Sequence, residues 1–338
     1  MSQFFIEYGL FLLKVVTIVA AVIVVIVTAA AASRKGAQDG LEVESLNEKY
    51  KSLAHGLRSA VLNKDEQKKE AKSEKKRRKA EAKQESRPRS FIIDFKGDLK
   101  ASAVPSLREE VSAVLDVATD NDEVIMRLEN HGGVVHEHGL AASQLARIRD
   151  HGIPLHVSVD KVAASGGYLM ACVATKIYAA PFAILGSIGV LAQIPNFNRM
   201  LDSHGVDFEQ ITAGKYKRTV TMFGENTDED RAKLKEELEE VHGLFKSAVA
   251  QYRPDLDLDL IATGEHWYGT RAQELGLADE IKTSDELLRE RAQQRDLYEL
   301  SYKIKQPLQK RLMANIDSAL EKAVAVRWRQ RFESRLPR

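Results

Sequence analysis

Ser165 stands in the run VDKVAASGGYLMACVATKIYAAPFAILGSIGV, residues 159–190, after two alanines and before Gly166 and Gly167. A serine hydroxyl becomes a nucleophile when a base takes its proton and fixed donors receive the developing oxyanion. The paired glycines permit tight backbone geometry and close approach of a substrate. The following YLMACVAT reads as a small-residue helix whose first N–H groups face an anion. This has the logic of a nucleophile elbow without its G-x-S-x-G string. The same pattern also suits a serine that only caps a helix or forms a turn. Upstream, RLENHGGVVHEHG (127–139) follows a strand pattern and offers Gly132 and Gly133. Their N–H groups could complete an oxyanion hole, or the pair could be a plain strand-to-helix turn.

A base is needed as well. His131, His136 and His138 cluster near the glycine pair, but H-x4-H-x-H matches no zinc signature and no cysteine accompanies it. Neither a metal nor a cofactor is expected. The other candidates lie in ITAGKYKRTVTMFGENTDED (211–230), where Lys215 and Lys217 precede a long helical pattern. A lysine acts as a base only when desolvation keeps it neutral, and Ser–Lys pairs are a known variant of the catalytic triad. The residues alone do not choose between Lys217, Lys215 and a solvated surface lysine.

The elements that must hold these groups alternate. SFIIDF (90–95), EVIMRLE (123–129), PLHVSVD (154–160), KIYAAP and SIGVLAQI read as strands, with helical spacing over 105–118 and 139–150. A further strand pattern, DFEQIT (207–212), precedes a helix over 227–252 with Thr227 as N-cap, and ADEIKT is one more strand. The alternation predicts an α/β fold with a largely parallel sheet. Hydrophobic residues make up 44% of 338, enough for a substantial core, and the single cysteine, Cys172, excludes an intrachain disulfide framework.

The flanks differ in texture. Residues 15–32 carry no charge, and with residues 8–13 they make a segment long enough to cross a bilayer, which predicts a retained anchor over 1–33. Residues 63–89 hold twelve Lys or Arg and six Asp or Glu, so 34–89 reads as a charged helical or flexible linker. Residues 90–294 form the expected catalytic domain. Residues 295–338 read as a basic amphipathic helical extension, with Leu308, Leu312, Ile316, Leu320, Val324 and Trp328 every four residues. The charge runs suit solvation, and no nucleic-acid partner is expected. Arg34, Lys35, Lys49 and Lys51 follow the apolar segment with none before it, a bias that favours the cytoplasmic side for the globular part although Asp39, Glu42, Glu44 and Glu48 intervene.

The strings AASGGYLMACVATKIYAAPFAILGSIGV and AGKYKRTVTMFGENTDEDRAK resemble the S49 serine peptidases, the signal peptide peptidase A family. The resemblance covers roughly residues 90–285. It implies a ClpP/crotonase-like spiral fold and a Ser–Lys dyad, with Ser165 as nucleophile and Lys217 as base. It further implies Ser187, in the G-S-I-G string, as the residue orienting that lysine, and the N–H groups of Gly133 and Gly166 as the oxyanion hole. Family members commonly carry S-P-G-G at the turn where this chain has Asn130-His131-Gly132-Gly133. The implied substrates are unfolded or membrane-derived peptides, the implied assembly is a homo-oligomer, and the implied location is the bacterial inner membrane, with family members facing the periplasm in some cases. Two other readings compete: a crotonase-like acyl-CoA enzyme, and a non-catalytic membrane scaffold built on the basic segments.

Overall fold

The computed structural model describes residues 2–32, 39–81 and 87–304. The chain divides into two compact units, residues 1–40 with 303–338, and residues 41–302. In the first, α1 (Ser2–Ala32) is one continuous helix. Its window Ile6–Val25, 20 residues of mean hydropathy 2.5, is long and apolar enough to cross a bilayer.

The second unit opens with β1 (Gly40–Ser45), α2 (Leu46–Val61) and α3 (Lys64–Glu81). There follow β2 (Arg89–Lys96), α4 (Val104–Val117), β3 (Glu123–Glu129), α5 (Val135–Asp150) and β4 (Leu155–Val159). The middle holds β5 (Val162–Ala164), α6 (Gly166–Ala171), β6 (Lys176–Ala179), β7 (Ile184–Gly186), α7 (Asn198–Ser203) and α8 (Asp228–Tyr252). The chain closes with α9 (Leu258–Ile261), β8 (His266–Tyr268), α10 (Gly269–Glu274), β9 (Glu280–Ile281), α11 (Ser284–Gln294) and β10 (Asp296–Lys303).

A seven-stranded sheet runs β1-β10-β2-β3-β4-β6-β9, and a second sheet runs β5-β7-β8. Every pair from β10 to β9 is parallel. This is the α/β class with a largely parallel sheet that the alternation of patterns predicts. Both faces are covered, which is why β2 reads as an almost unbroken apolar run. Phe91, Ile93 and Phe95 share one core with Val124, Met126, Val157 and the helical residues Leu107, Val111, Leu145 and Ile148. On the other face Ile92, Ile125 and Leu297 meet Leu287 and Leu288 of α11 and Leu46 of α2.

Three stretches differ from expectation. SIGVLAQI forms no strand, because Gly186 (φ 96°) and Ser187 (φ 53°) turn the chain out of β7. DFEQIT has no regular structure and is exposed throughout, and its backbone makes no backbone hydrogen bond among the described residues. DLYELSYK, in the segment read as a helical extension, is β10, inserted between β1 and β2 with Leu297 and Leu300 buried. The apolar stripe beginning at Leu308 lies outside the described residues. In the segment read as linker, α3 is helical, but α2 is tied to the body through Asn47, which bonds Leu297 N and the carbonyls of Ala292 and Arg295.

The β2–β3 edge is fastened by Asp122, which is 2% exposed. It accepts from the Arg89 guanidinium at 2.6 Å, the Arg89 N–H at 2.7 Å, the Thr119 N–H at 2.8 Å and the Thr119 hydroxyl at 2.9 Å. Burial pushes the carboxyl pKa up, but these donors outweigh it and bring it down to about 2. A depressed folded pKa contributes stability above the unfolded value near 4, and that stability is lost as pH falls through about 2. The contribution is about 2 kcal/mol at neutral pH. Chemical denaturation of wild type and Asp122→Asn between pH 7 and pH 2 therefore shows the variant less stable at neutrality and the two curves converging at the acid end.

Candidate functional site

Ser165 occupies the single residue between β5 and α6, with φ 53° and ψ −121°. A non-glycine residue there carries strain on the order of 1–3 kcal/mol, which the surroundings must enforce. They do so through the backbone. Ser165 N donates to Gly186 O at 2.8 Å, and Ser165 O accepts from Leu169 N at 3.0 Å. The side chain, half-buried, makes no capping bond to α6. Its hydroxyl has no hydrogen bond among the described residues, so the plain N-cap reading of this serine does not hold.

The glycine pair upstream lies against this turn. Asn130 bridges to Ala163, donating to Val162 O at 2.9 Å and accepting from Ala164 N at 3.0 Å. Gly132 sits at φ 86°, and a Cβ there would stand 2.7 Å from Gly166 N and 2.8 Å from Ser165 Cβ. A Cβ on Gly167 would meet Asn130 O, and one on Gly166 would stand 2.5 Å from His138 Cγ. Gly132 and Gly167 are required because two backbones touch, and Gly166 because the His138 side chain lies against it. Gly132 N–H is spent on Asn130 Oδ1 at 2.9 Å, whereas the N–H groups of Gly133 and Gly166 have no acceptor among the described residues. Gly133 is exposed and its neighbour Val134 is pinned by N–H donation to Leu99 O at 2.8 Å.

Ser187 belongs to the same locus. Ala164 and Gly186 are register partners in the parallel β5–β7 pair, so Ser165 and Ser187 follow side by side, roughly 5 Å apart at Cα. Both have φ 53°. Ser187 N donates to Glu265 O at 2.6 Å. The structure thus brings together Ser165, Ser187, Gly133 and Gly166. Lys217 is not joined to them: it lies in an exposed turn, its N–H donating to Gly214 O at 3.1 Å, and no hydrogen bond links its side chain to either serine. Lys215 pairs with Glu229 at 2.8 Å and lies 5.0 Å above the Tyr216 ring. That carboxylate holds its pKa above the usual lysine value.

Of the three histidines, His131 and His136 are exposed. His138 is fully buried, with Nε2 3.2 Å from Asn130 Oδ1 and Nδ1 3.0 Å from Val134 O. Asn130 is the residue that sequence reasoning passed over. It is 0% exposed and its Oδ1 holds both Gly132 N–H and His138, while its Nδ2 donates to Met170 Sδ at 3.3 Å. The one signal for it was that asparagine stands where the resembling family has serine.

A strained serine with an unspent hydroxyl, set between two glycine turns with open N–H groups on a mostly parallel α/β scaffold, is an arrangement suited to hydrolase chemistry. Comparison with known proteins names the family. The model for peptidase family S49 matches residues 147–298, and that for the S49 N-terminal region matches residues 3–145. The chain belongs to peptidase family S49 and has its ClpP/crotonase-like fold. It is 47% identical to the probable protease SohB of Haemophilus influenzae over 90% of each chain. It is 45% identical to the probable protease SohB of Buchnera aphidicola subsp. Acyrthosiphon pisum, over 94% of this chain and 96% of that one. A putative signal peptide peptidase SppA of Enterococcus faecium is 28% identical over 49% of this chain and 48% of its own. Among solved structures, a mutant of the 1510-N membrane-bound stomatin-specific protease aligns with a TM-score of 0.40 and 15% identity, covering 61% of this chain and 85% of that one.

Removing the Asn130 side chain leaves Gly132 N–H without its acceptor and His138 Nε2 without its partner. Asn130→Ala is expected to lower stability by about 2–3 kcal/mol. Gly132→Ala, forced to adopt φ 86° against Ser165, is expected to cost about 2 kcal/mol or more. Thermal melts of the two variants beside wild type check both.

Proposed function

We propose that the protein is a membrane-anchored serine endopeptidase in which Ser165 attacks the peptide carbonyl and Lys217 is the general base. The observation that carries this is the unspent Ser165 hydroxyl, held at φ 53° beside the open N–H groups of Gly133 and Gly166. Neutral Lys217 takes the Ser165 proton as Oγ adds to the carbonyl carbon, and Ser187 orients the amine. The tetrahedral oxyanion sits on the two N–H groups, where loss of one donor is worth on the order of 100-fold in rate. The lysine returns the proton to the leaving amine, and an acyl-enzyme forms. Water activated by the same lysine then releases the second product.

An amine in water is cationic, so Lys217 needs a cover. Around it Phe208, Ile211, Tyr216, Met222 and Phe223 are exposed, Ile211 at 94%. A second copy of the chain placed on this apolar segment would bury the lysine, and desolvation favours the neutral amine. In this reading the dyad forms between subunits of a homo-oligomer. The names of the relatives support peptide substrates, and an active site that takes an extended chain suits unfolded or membrane-derived peptides. Helix α1 is the single-pass anchor in the inner membrane, and the lysines and arginines after it favour a cytoplasmic catalytic domain.

The test is labelling of the full-length protein in membranes with a serine-reactive fluorophosphonate, alongside cleavage of an unstructured peptide. Ser165→Ala abolishes both, and Lys217→Ala lowers both by at least about 100-fold. Co-expressing the two inactive variants restores part of the activity, because some mixed interfaces carry both intact side chains. Full labelling of Ser165→Ala would remove the assignment, and failure of the mixed particle would place the dyad within one subunit.

A further inference from the structure

Gly132, Gly133 and Val134 present three successive N–H groups next to Ser165, and only the middle one is open. Gly132 N–H donates to Asn130 Oδ1 at 2.9 Å, and Val134 N–H donates to Leu99 O at 2.8 Å. Gly133 N–H, between them, has no acceptor among the described residues. The peptide that carries it joins two glycines, the residues with the most backbone freedom to lose. Its direction is therefore set by the clamps on either side. Leu99 is supported within its own loop, where the Asp98 carboxylate accepts from Lys100 N at 3.1 Å, Ser102 N at 2.8 Å and the Ser102 hydroxyl at 2.6 Å. The other clamp is a single side chain, Asn130. Its main chain is bonded to Val162 and Ala164, and a Cβ on Gly97 would run into its amide. Nδ2 donates to Met170 Sδ at 3.3 Å, and His138 Nε2 lies 3.2 Å from Oδ1. Gly132 N–H can only donate, so the amide oxygen must face it, and His138 serves that oxygen with its proton on Nε2. Asn130 is 0% exposed, so bulk solvent does not compete for Oδ1.

We propose that Asn130 is a positioning residue for hydrolysis, acting through the Gly132 peptide to aim Gly133 N–H at the oxyanion. The inference rests on the reading of Ser165 as nucleophile and Gly133 as an oxyanion donor. A donor stabilises the tetrahedral anion at no cost of reorganisation only when it is aimed before the reaction begins. Buried behind the turn, Asn130 does not touch the peptide in this role. Its loss therefore slows acylation and leaves ground-state binding of the substrate unchanged. A serine stands at this position in the resembling family, and a hydroxyl also accepts from an N–H two residues on, though more weakly than an asparagine.

Full-length wild type, Asn130→Ala, Asn130→Ser and Ser165→Ala are compared in lipid nanodiscs, each well below its own melting onset. Two reactions are followed: cleavage of an unstructured fluorogenic peptide and labelling by a fluorophosphonate, whose phosphoryl oxygen also needs the hole. Asn130→Ala is expected to lower kcat and the maximal labelling rate by at least about tenfold, with KM within about twofold of wild type. Asn130→Ser is expected to recover at least about threefold of that loss. If Asn130→Ala does not fold, Asn130→Ser carries the test alone, and a fall in kcat of at least about threefold at unchanged KM is required. A smaller loss overturns the proposal. So does a rise in KM that accounts for the fall in kcat/KM, or a serine variant no faster than a folded alanine variant, since either is the mark of general damage to the fold. Labelling retained by Ser165→Ala removes the nucleophile and this inference with it. Labelling lost in Ser165→Ala but undiminished in the folded Asn130 variants leaves the nucleophile standing and removes the role of Asn130 alone.

Discussion

Everything at the site depends on one contact: two stretches of backbone, around Gly132 and around Gly166, pressed together with no side chain between them. The approach lets the strand-to-helix turn after β3 touch the turn that carries Ser165. Asn130 sits in the middle, its main chain bridging to Ala163 and its side chain holding Gly132 and His138. Backbone strain at Ser165 and Ser187 is then sustained by ordinary hydrogen bonds, Ser165 N to Gly186 O and Ser187 N to Glu265 O. Neither serine side chain is consumed in holding its own turn, which leaves both free for chemistry.

The opposite side of the site is left open by the single chain. Between β7 and α8 runs a long segment whose only helix is the six-residue α7. It is locally organised by partly exposed rings: Phe223 lies 6.1 Å from Phe197 and 5.8 Å from Phe208, and Asn196 bonds the carbonyls of Thr221 and Gly224. Its exterior is apolar and exposed, and it bears Lys217. The far end is anchored by the capping box of Thr227 and Asp230 at the start of α8. A segment ordered within yet apolar without is suited to packing on another surface.

Legibility followed the physics of each feature. Strands β2, β3 and β4 were plain in the sequence because burial on both faces demands unbroken apolar runs, and Thr227 announced α8 because an N-cap is a local signal. Strand β10 was not, since its alternation in DLYELSYK is short and its partner, β2, lies some two hundred residues earlier. DFEQIT has the composition of a strand but pairing requires a neighbour, which no composition supplies. At the site, Ser165 and the glycines declared themselves through spacing. Asn130 did not, because a buried amide serving three partners looks like any turn asparagine. The choice of Lys217 over Lys215 came from the resemblance alone, because both lysines stand in the same exposed turn.

The position of β10 has a consequence for biosynthesis. It is among the last described elements of the chain, yet it lies between β1 and β2, which are among the first. Its register pairs Asp296 with Arg89 and Leu300 with Ile93. Until those residues leave the ribosome, the β2 edge has no neighbour on that side and Leu46 of α2 lacks Leu297 beneath it. Such non-local parallel pairing is slow to form. The N-terminal helix is synthesised long before, so a helix long and apolar enough to cross a bilayer leaves the ribosome while the sheet still lacks the strand that covers the β2 edge.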